Sequence, residues 1–136
     1  YCLTPSPVPS RARGWFTAYR TATSAHGLLS ALQVGAVILG MPWHAAFFEP
    51  DPQGFIDSGN WQASDVAGGH EVCGAALEKL ALTRTGSIDA ARTVLALPNS
   101  WSTSWGDSGY FRMRLSTYQT LRSQIDVYQF RLPEVA

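Results

Sequence analysis

Charge is scarce in this sequence. Asp, Glu, Lys and Arg make up 15% of the 136 residues, ten acidic against ten basic, and the formal net charge is zero. So balanced a chain offers no electrostatic footprint for nucleic acid or an anionic bilayer, and neither is expected as a partner. Lysine is nearly absent: Lys79 stands alone and the other basic residues are arginine, from which no function follows. Long apolar runs are also missing. The longest, residues 34–41, falls far short of the ~20 residues of a transmembrane helix and reads as a buried strand. The chain has no signal-peptide pattern of basic start and apolar run, and it opens at Tyr1-Cys2 as though cut from something longer. Two cysteines, Cys2 and Cys73, are too few for a disulfide framework. They pair with each other, or Cys2 pairs with an upstream segment, or both are partly buried thiols. What remains is 46% hydrophobic content, enough for one compact domain with a modest core.

The order of elements can be read along the chain. Pro5, Pro7 and Pro9 among small polar residues predict an extended arm. It is expected to occupy residues 1–24, ahead of a domain over 25–136. Residues 15–19 alternate aromatic and small side chains, as a short strand does. Ser24 is the expected N-cap of a helix through Gln33, with Leu28, Leu29 and Leu32 at helical spacing. Gly35 ends that helix, and the apolar residues 36–39 predict a buried strand stopped by Gly40 and Pro42. Residues 42–69 carry Pro, Gly, Asp and Asn at close intervals, the mark of a long surface excursion, with a short strand at 54–56. Strands are expected at 70–77 and 93–97, with the polar residues 83–89 as a hairpin-like connection. Residues 110–115 set Phe111, Met113 and Leu115 against Arg112 and Arg114, a half-buried strand. Ser116 and Gln119 have capping-box spacing and predict a short helix to about Ser123. Residues 127–132 form a last strand, ended by Pro133. The class is α+β: an antiparallel, barrel-like β domain with one or two short helices.

Two stretches carry chemistry. One is Gly68-Gly69-His70 entering a strand. The other runs from Asn99-Ser100-Trp101 through Trp105-Gly106-Asp107-Ser108-Gly109 to Tyr110-Phe111, where an ordinary loop would be polar and this one must pack its indoles. A histidine at a strand start and an asparagine at a strand end meet if the strands are neighbours. The asparagine carbonyl would then fix the imidazole tautomer and leave the other nitrogen free as a base. His26 and His44 have no partner at useful spacing and read as surface or packing residues. His70-Glu71 resembles the start of a zinc-peptidase motif, but Gly74 occupies the second histidine's place, so no metal and no cofactor are expected. Gly106-Asp107-Ser108-Gly109 mimics a serine-peptidase nucleophile loop, with His70 and Asp89 in matching order, yet 38 positions between His70 and Ser108 are too few for a second barrel.

These residues resemble the C-terminal half of the papain-like cysteine peptidases. A Gly-Gly-His strand followed by Asn-Ser-Trp, Trp-Gly and Gly-Tyr-Phe is matched at Gly68, Gly69, His70, Asn99, Ser100, Trp101, Trp105, Gly106, Gly109, Tyr110 and Phe111. Pro42-Trp43, residues 50–55 and residues 115–117 look most like members from phages and actinobacteria. The resemblance implies a papain-like fold in which His70 is the general base, Asn99 its orienting group, Trp101 a shield over their hydrogen bond and Trp105 a wall of the cleft. Gly68, Gly69 and Glu71 would lie near the substrate, a peptide or protein. The family's nucleophilic cysteine opens a long helix upstream of the matched region, after a glutamine that helps form the oxyanion hole. Cys2 cannot serve, since three prolines follow within seven residues, and Cys73 lies three strand positions from His70, on the opposite face. The chain is therefore expected to be inactive alone, and to work with an upstream fragment or a partner chain. Ser102 in place of glycine, Pro98 before Asn99 and the 29-residue gap from His70 to Asn99 depart from the pattern. They favour the alternative of an inactive structural or binding module, for example in a phage particle. Its location is open, secretion and a virion being the candidates.

Overall fold

A computed structural model describes residues 18–131. Cys2, the proline-rich stretch of residues 1–10 and Pro133 lie outside them. The elements run β1 (Ala18–Thr21), α1 (Ala25–Val34), β2 (Ile38–His44), β3 (Val66–Cys73), β4 (Ala76–Lys79), β5 (Val94–Pro98), β6 (Tyr110–Arg114), α2 (Leu115–Leu121) and β7 (Asp126–Arg131). They form two antiparallel sheets, ordered β1-β7-β2-β3 and β4-β5-β6. The mixed α+β class with two helices and antiparallel sheets is as the sequence predicts. Among the described residues, no helix is long and apolar enough to cross a membrane.

One hydrophobic cluster serves both sheets. It joins Leu39, Met41 and Trp43 of β2, Val72 of β3, Leu95 and Leu97 of β5, and Phe111 and Met113 of β6 to Leu28, Leu29, Leu115, Tyr118 and Leu121 of the helices. The residues follow the expected periods, alternate positions in strands and one face in helices. Ser24 caps α1 as predicted, its Oγ accepting from Gly27 N at 3.0 Å. The far end is closed by Gln129, whose Nε2 donates to the carbonyls of Ala31 and Gly35.

The strand expected at 70–77 is two strands of different sheets, β3 ending at Cys73 and β4 starting at Ala76, and three further expectations need correcting. β2 does not stop at Gly40 and Pro42 but continues to His44. It pairs with β7 only as far as Gly40, while β3 follows it to the end; Pro42 thus lies where one side of the strand is an edge, and its missing N–H costs no ladder bond there. The residues after Pro42 are not a surface excursion throughout, since Phe47, Ile56 and Trp61 are buried. The expected short strand at 54–56 is a pair of hydrogen bonds with β6, Ile56 N to Arg112 O and Arg112 N to Gly54 O. Asp51 closes the preceding turn by accepting from the N–H groups of Gln53 and Phe55 and from Ser58 Oγ. Desolvation pushes its pKa up, but the Ser58 bond and the two backbone bonds outweigh that and hold it below the usual aspartate range. The third correction concerns α2, which starts at Leu115 with no side-chain cap. Leu115 N and Ser116 N donate instead to the carbonyls of Thr93 and Ala90, so the capping box is replaced by tertiary partners.

Candidate active site

The two stretches singled out in the sequence meet where the two sheets meet. β3 alternates His70 and Val72 inward with Gly69, Glu71 and Cys73 outward, and β5 ends in Pro98, so Asn99 leaves the second sheet directly toward His70. Their side chains make one hydrogen bond, His70 Nε2 to Asn99 Oδ1, at 3.0 Å. The same Oδ1 accepts from Ser100 N at 2.8 Å. A backbone N–H only donates, so it fixes which amide atom is oxygen, and the oxygen fixes the imidazole: Nε2 carries the proton and donates. Nδ1 has no hydrogen-bond partner among the described residues, and the ring is half-buried. An imidazole held this way is a base with its free nitrogen facing outward.

The Asn99–Tyr110 loop is held by its own backbone. Asn99 N donates to Gly109 O at 2.7 Å, Gly109 N to Trp105 O and Asp107 N to Tyr110 O. Gly106 sits at φ +59°, and a Cβ there would strike the Tyr110 carbonyl, so this turn requires glycine. Ser102, which departs from the family pattern, is absorbed by a bond between its hydroxyl and that of Ser104. Pro98 pairs only with Tyr110 of β6, beyond the reach of β4. Neither disturbs the His70–Asn99 contact.

Aromatic rings enclose the imidazole. Trp101 lies 5.3 Å from it and Trp43 4.7 Å, the latter edge-on at 70°. Trp101 stacks on Phe48 at 10° and meets Trp105 edge-on, and Trp105 Nε1 donates to Phe48 O at 2.8 Å. The sequence reading missed Trp43 as a neighbour of His70. Its signal was the alternation Leu39, Met41, Trp43, legible only if the strand is carried through Pro42. Gly68, Gly69 and Glu71 lie along β3 beside this cluster, exposed, opposite Trp43, Pro42 and Gly40. A Cβ at Gly68 or Gly69 would meet nothing within 4 Å, so no protein neighbour demands glycine there.

Other candidates fall elsewhere. Asp89 is committed to Arg92 at 2.8 Å and Asp107 to Arg112, so no serine triad forms around His70. His44 is a packing residue, buried against Trp61 with Nδ1 3.1 Å from Ser64 O, and His26 is exposed. Cys73 is exposed on the outward face of β3, three strand positions or ~10 Å from His70.

The same arrangement of elements occurs in solved peptidases. The bromelain protease from Ananas comosus, determined with the E64 inhibitor, superposes with a TM-score of 0.52 over 87% of this chain, at 16% identity. The digestive procathepsin L 3 of the Tenebrio molitor larval midgut gives 0.53 over 86%, at 20% identity. The fold is papain-like. This chain covers 51% of the bromelain chain and 36% of the procathepsin chain. By sequence, the family model described as papain family cysteine protease matches residues 72–129. That part of the papain-like fold contains Asn99, Trp101 and Trp105 and begins two residues after His70. No curated protein matches the chain by sequence.

Proposed function

We propose that this chain is the histidine- and asparagine-bearing half of a papain-type cysteine endopeptidase, with the nucleophilic cysteine supplied by a segment other than residues 18–131. The observation that carries this is the bond from His70 Nε2 to Asn99 Oδ1, with Nδ1 left outward and unengaged. In the mechanism, Nδ1 takes the proton of the incoming thiol and the resulting imidazolium stays aligned on Asn99. The thiolate adds to the peptide carbonyl carbon. Collapse of the adduct breaks the C–N bond, the nitrogen leaving with the proton from Nδ1, and a thioester remains. Water, deprotonated by the same nitrogen, hydrolyses it. Trp101 keeps bulk water from the His70–Asn99 bond and Trp105 lines the cleft, while Gly68, Gly69 and Glu71 border the substrate. The oxyanion donors, like the cysteine, belong to the completing segment. The peptide substrate, the completing fragment and the endopeptidase activity are all parts of this proposal.

The test uses the protein as its native source makes it, with intact mass, thiol titration and hydrolysis of a fluorogenic peptide measured together. A product that contains a helix-borne cysteine should cleave the peptide. His70→Ala should then lower kcat/KM by up to about 10⁴-fold, and Asn99→Ala by about 10²-fold through misplacement of the ring. A product with no such thiol and no hydrolysis would leave an inactive peptidase-derived binding module.

A further inference from the structure

The imidazole of His70 needs more to hold it than Trp101. Asn99 holds one nitrogen, but a single hydrogen bond leaves the ring free to swing about it. The remaining constraint comes from β2. In the register, Met41 faces His70 and Trp43 faces Gly68; with no side chain at position 68, the first β3 side chain that Trp43 meets on this face is His70, one diagonal away. The rings touch at 4.7 Å and 70°, and Trp43 also meets Trp101 edge-on at 5.3 Å. The three rings thus pack in one mutual cluster, Trp43 buried at its base at 3% exposed and Trp101 at its open edge at 38%.

Core packing alone does not account for tryptophan here. The buried indole N–H of Trp43 has no hydrogen-bond acceptor among the described residues, and a buried donor left unsatisfied is a net cost that phenylalanine would avoid. What the wider indole adds is reach: it contacts Phe47, Phe48 and Phe111 below while still bearing on His70 and Trp101 above.

We infer that Trp43 is a positioning residue for His70, holding the imidazole with Nε2 on Asn99 and Nδ1 outward before any nucleophile arrives. The inference rests on the reading of His70 as the base. The half-site is thereby preorganised by this chain alone, and the completing segment has only to deliver a thiol to a nitrogen already aimed.

The experiment is NMR of the ¹⁵N-histidine-labelled chain, with His70 assigned by loss of its signals in His70→Gln. It needs no peptidase activity, so its failure and the failure of the enzyme reading are separate results. The unsubstituted protein should show a hydrogen-bonded Nε2–H proton for His70. In Trp43→Leu that proton signal should be lost to solvent exchange and the ring nitrogens should move toward free-imidazole positions. Trp43→Phe should restore part of both. Trp61→Leu removes a core indole that touches Phe47 and His44 but makes no ring contact with His70; it should lower the melting temperature and leave the His70 signals in place. Unchanged His70 signals in Trp43→Leu, or equal changes in Trp61→Leu, would overturn the inference. Should Trp43→Leu not fold, Trp43→Phe decides: the Nε2–H proton of His70 must exchange with solvent faster than in the unsubstituted protein, and if its exchange is unchanged the ring cluster is only core.

Discussion

Trp43 and Trp105 both pack against Trp101 and differ in what their indole nitrogens do. Trp105 Nε1 donates to the Phe48 carbonyl at 2.8 Å, tying the Asn99–Tyr110 loop to the turn after β2. Trp43 Nε1 is buried without an acceptor among the described residues, as is Asn99 Nδ2. The asymmetry makes the cost of one substitution predictable. Trp105→Phe keeps an aromatic ring in place but deletes the bond to Phe48, so it should lower stability by about 0.5–1.5 kcal/mol. Urea unfolding measures it directly, and an unchanged midpoint would mean that water replaces the indole N–H at no cost. Asn99 is the clearest case of one atom doing two jobs at this scale. Its Oδ1 accepts from Ser100 N and from His70 Nε2, and turning the amide over would lose both bonds.

Among the elements, α2 shows how tertiary structure replaces a local signal. Its N-cap is Arg114, which makes no capping bond. Asp57, brought in from the loop after β2 with its side chain fully buried, accepts from Arg114 N, Arg114 Nη1 and Thr117 Oγ1, each at 2.7 Å. The carboxylate therefore sits at the helix N-terminus, where the backbone dipole favours negative charge. Asp57→Ala would leave Arg114 N and the Thr117 hydroxyl unpaired, and should destabilise the protein by roughly 2–6 kcal/mol in thermal or urea unfolding. Asp57→Asn preserves shape and some acceptor capacity and should cost less; equal losses would assign the effect to packing. None of this was legible in the sequence, because Asp57 precedes Thr117 by 60 positions and no pattern links them. β6 and α1 were legible because their signals are local: alternation in residues 110–114, and Ser24 ahead of three leucines. His70 and Asn99 were legible as a pair only through the resemblance, since spacing of 29 residues says nothing about neighbouring strands. Trp43 was hidden by the ordinary reading of Pro42 as a strand stop, which fails where one side of a strand is an edge.

For the whole molecule, the relation between the two sheets decides whether the dyad exists. His70 belongs to the β1-β7-β2-β3 sheet and Asn99 leaves the β4-β5-β6 sheet, so their 3.0 Å contact reports how the sheets are set against one another. The chain passes between the sheets at Gly74, with φ +88°. Its N–H is anchored to Val37 O, and a Cβ there would stand 3.6 Å from Pro98, the residue before Asn99. Gly86 makes a suitable control. It has nearly the same conformation, φ +84°, but lies in the turn of residues 83–87, where a Cβ would meet nothing. Alanine at either position carries the same backbone strain, about 1–2 kcal/mol, so Gly74→Ala and Gly86→Ala should lower the melting temperature by similar amounts. Only Gly74→Ala should alter the dyad, because relief of its strain rotates one sheet on the other and lengthens the His70–Asn99 bond. The Nε2–H proton of His70 should then weaken or vanish in Gly74→Ala and stay in Gly86→Ala. If both variants keep it, the shared core of Leu39, Leu95, Phe111 and their neighbours holds the sheets in register without help from the connection. If both lose it, the dyad follows global stability rather than the angle between the sheets.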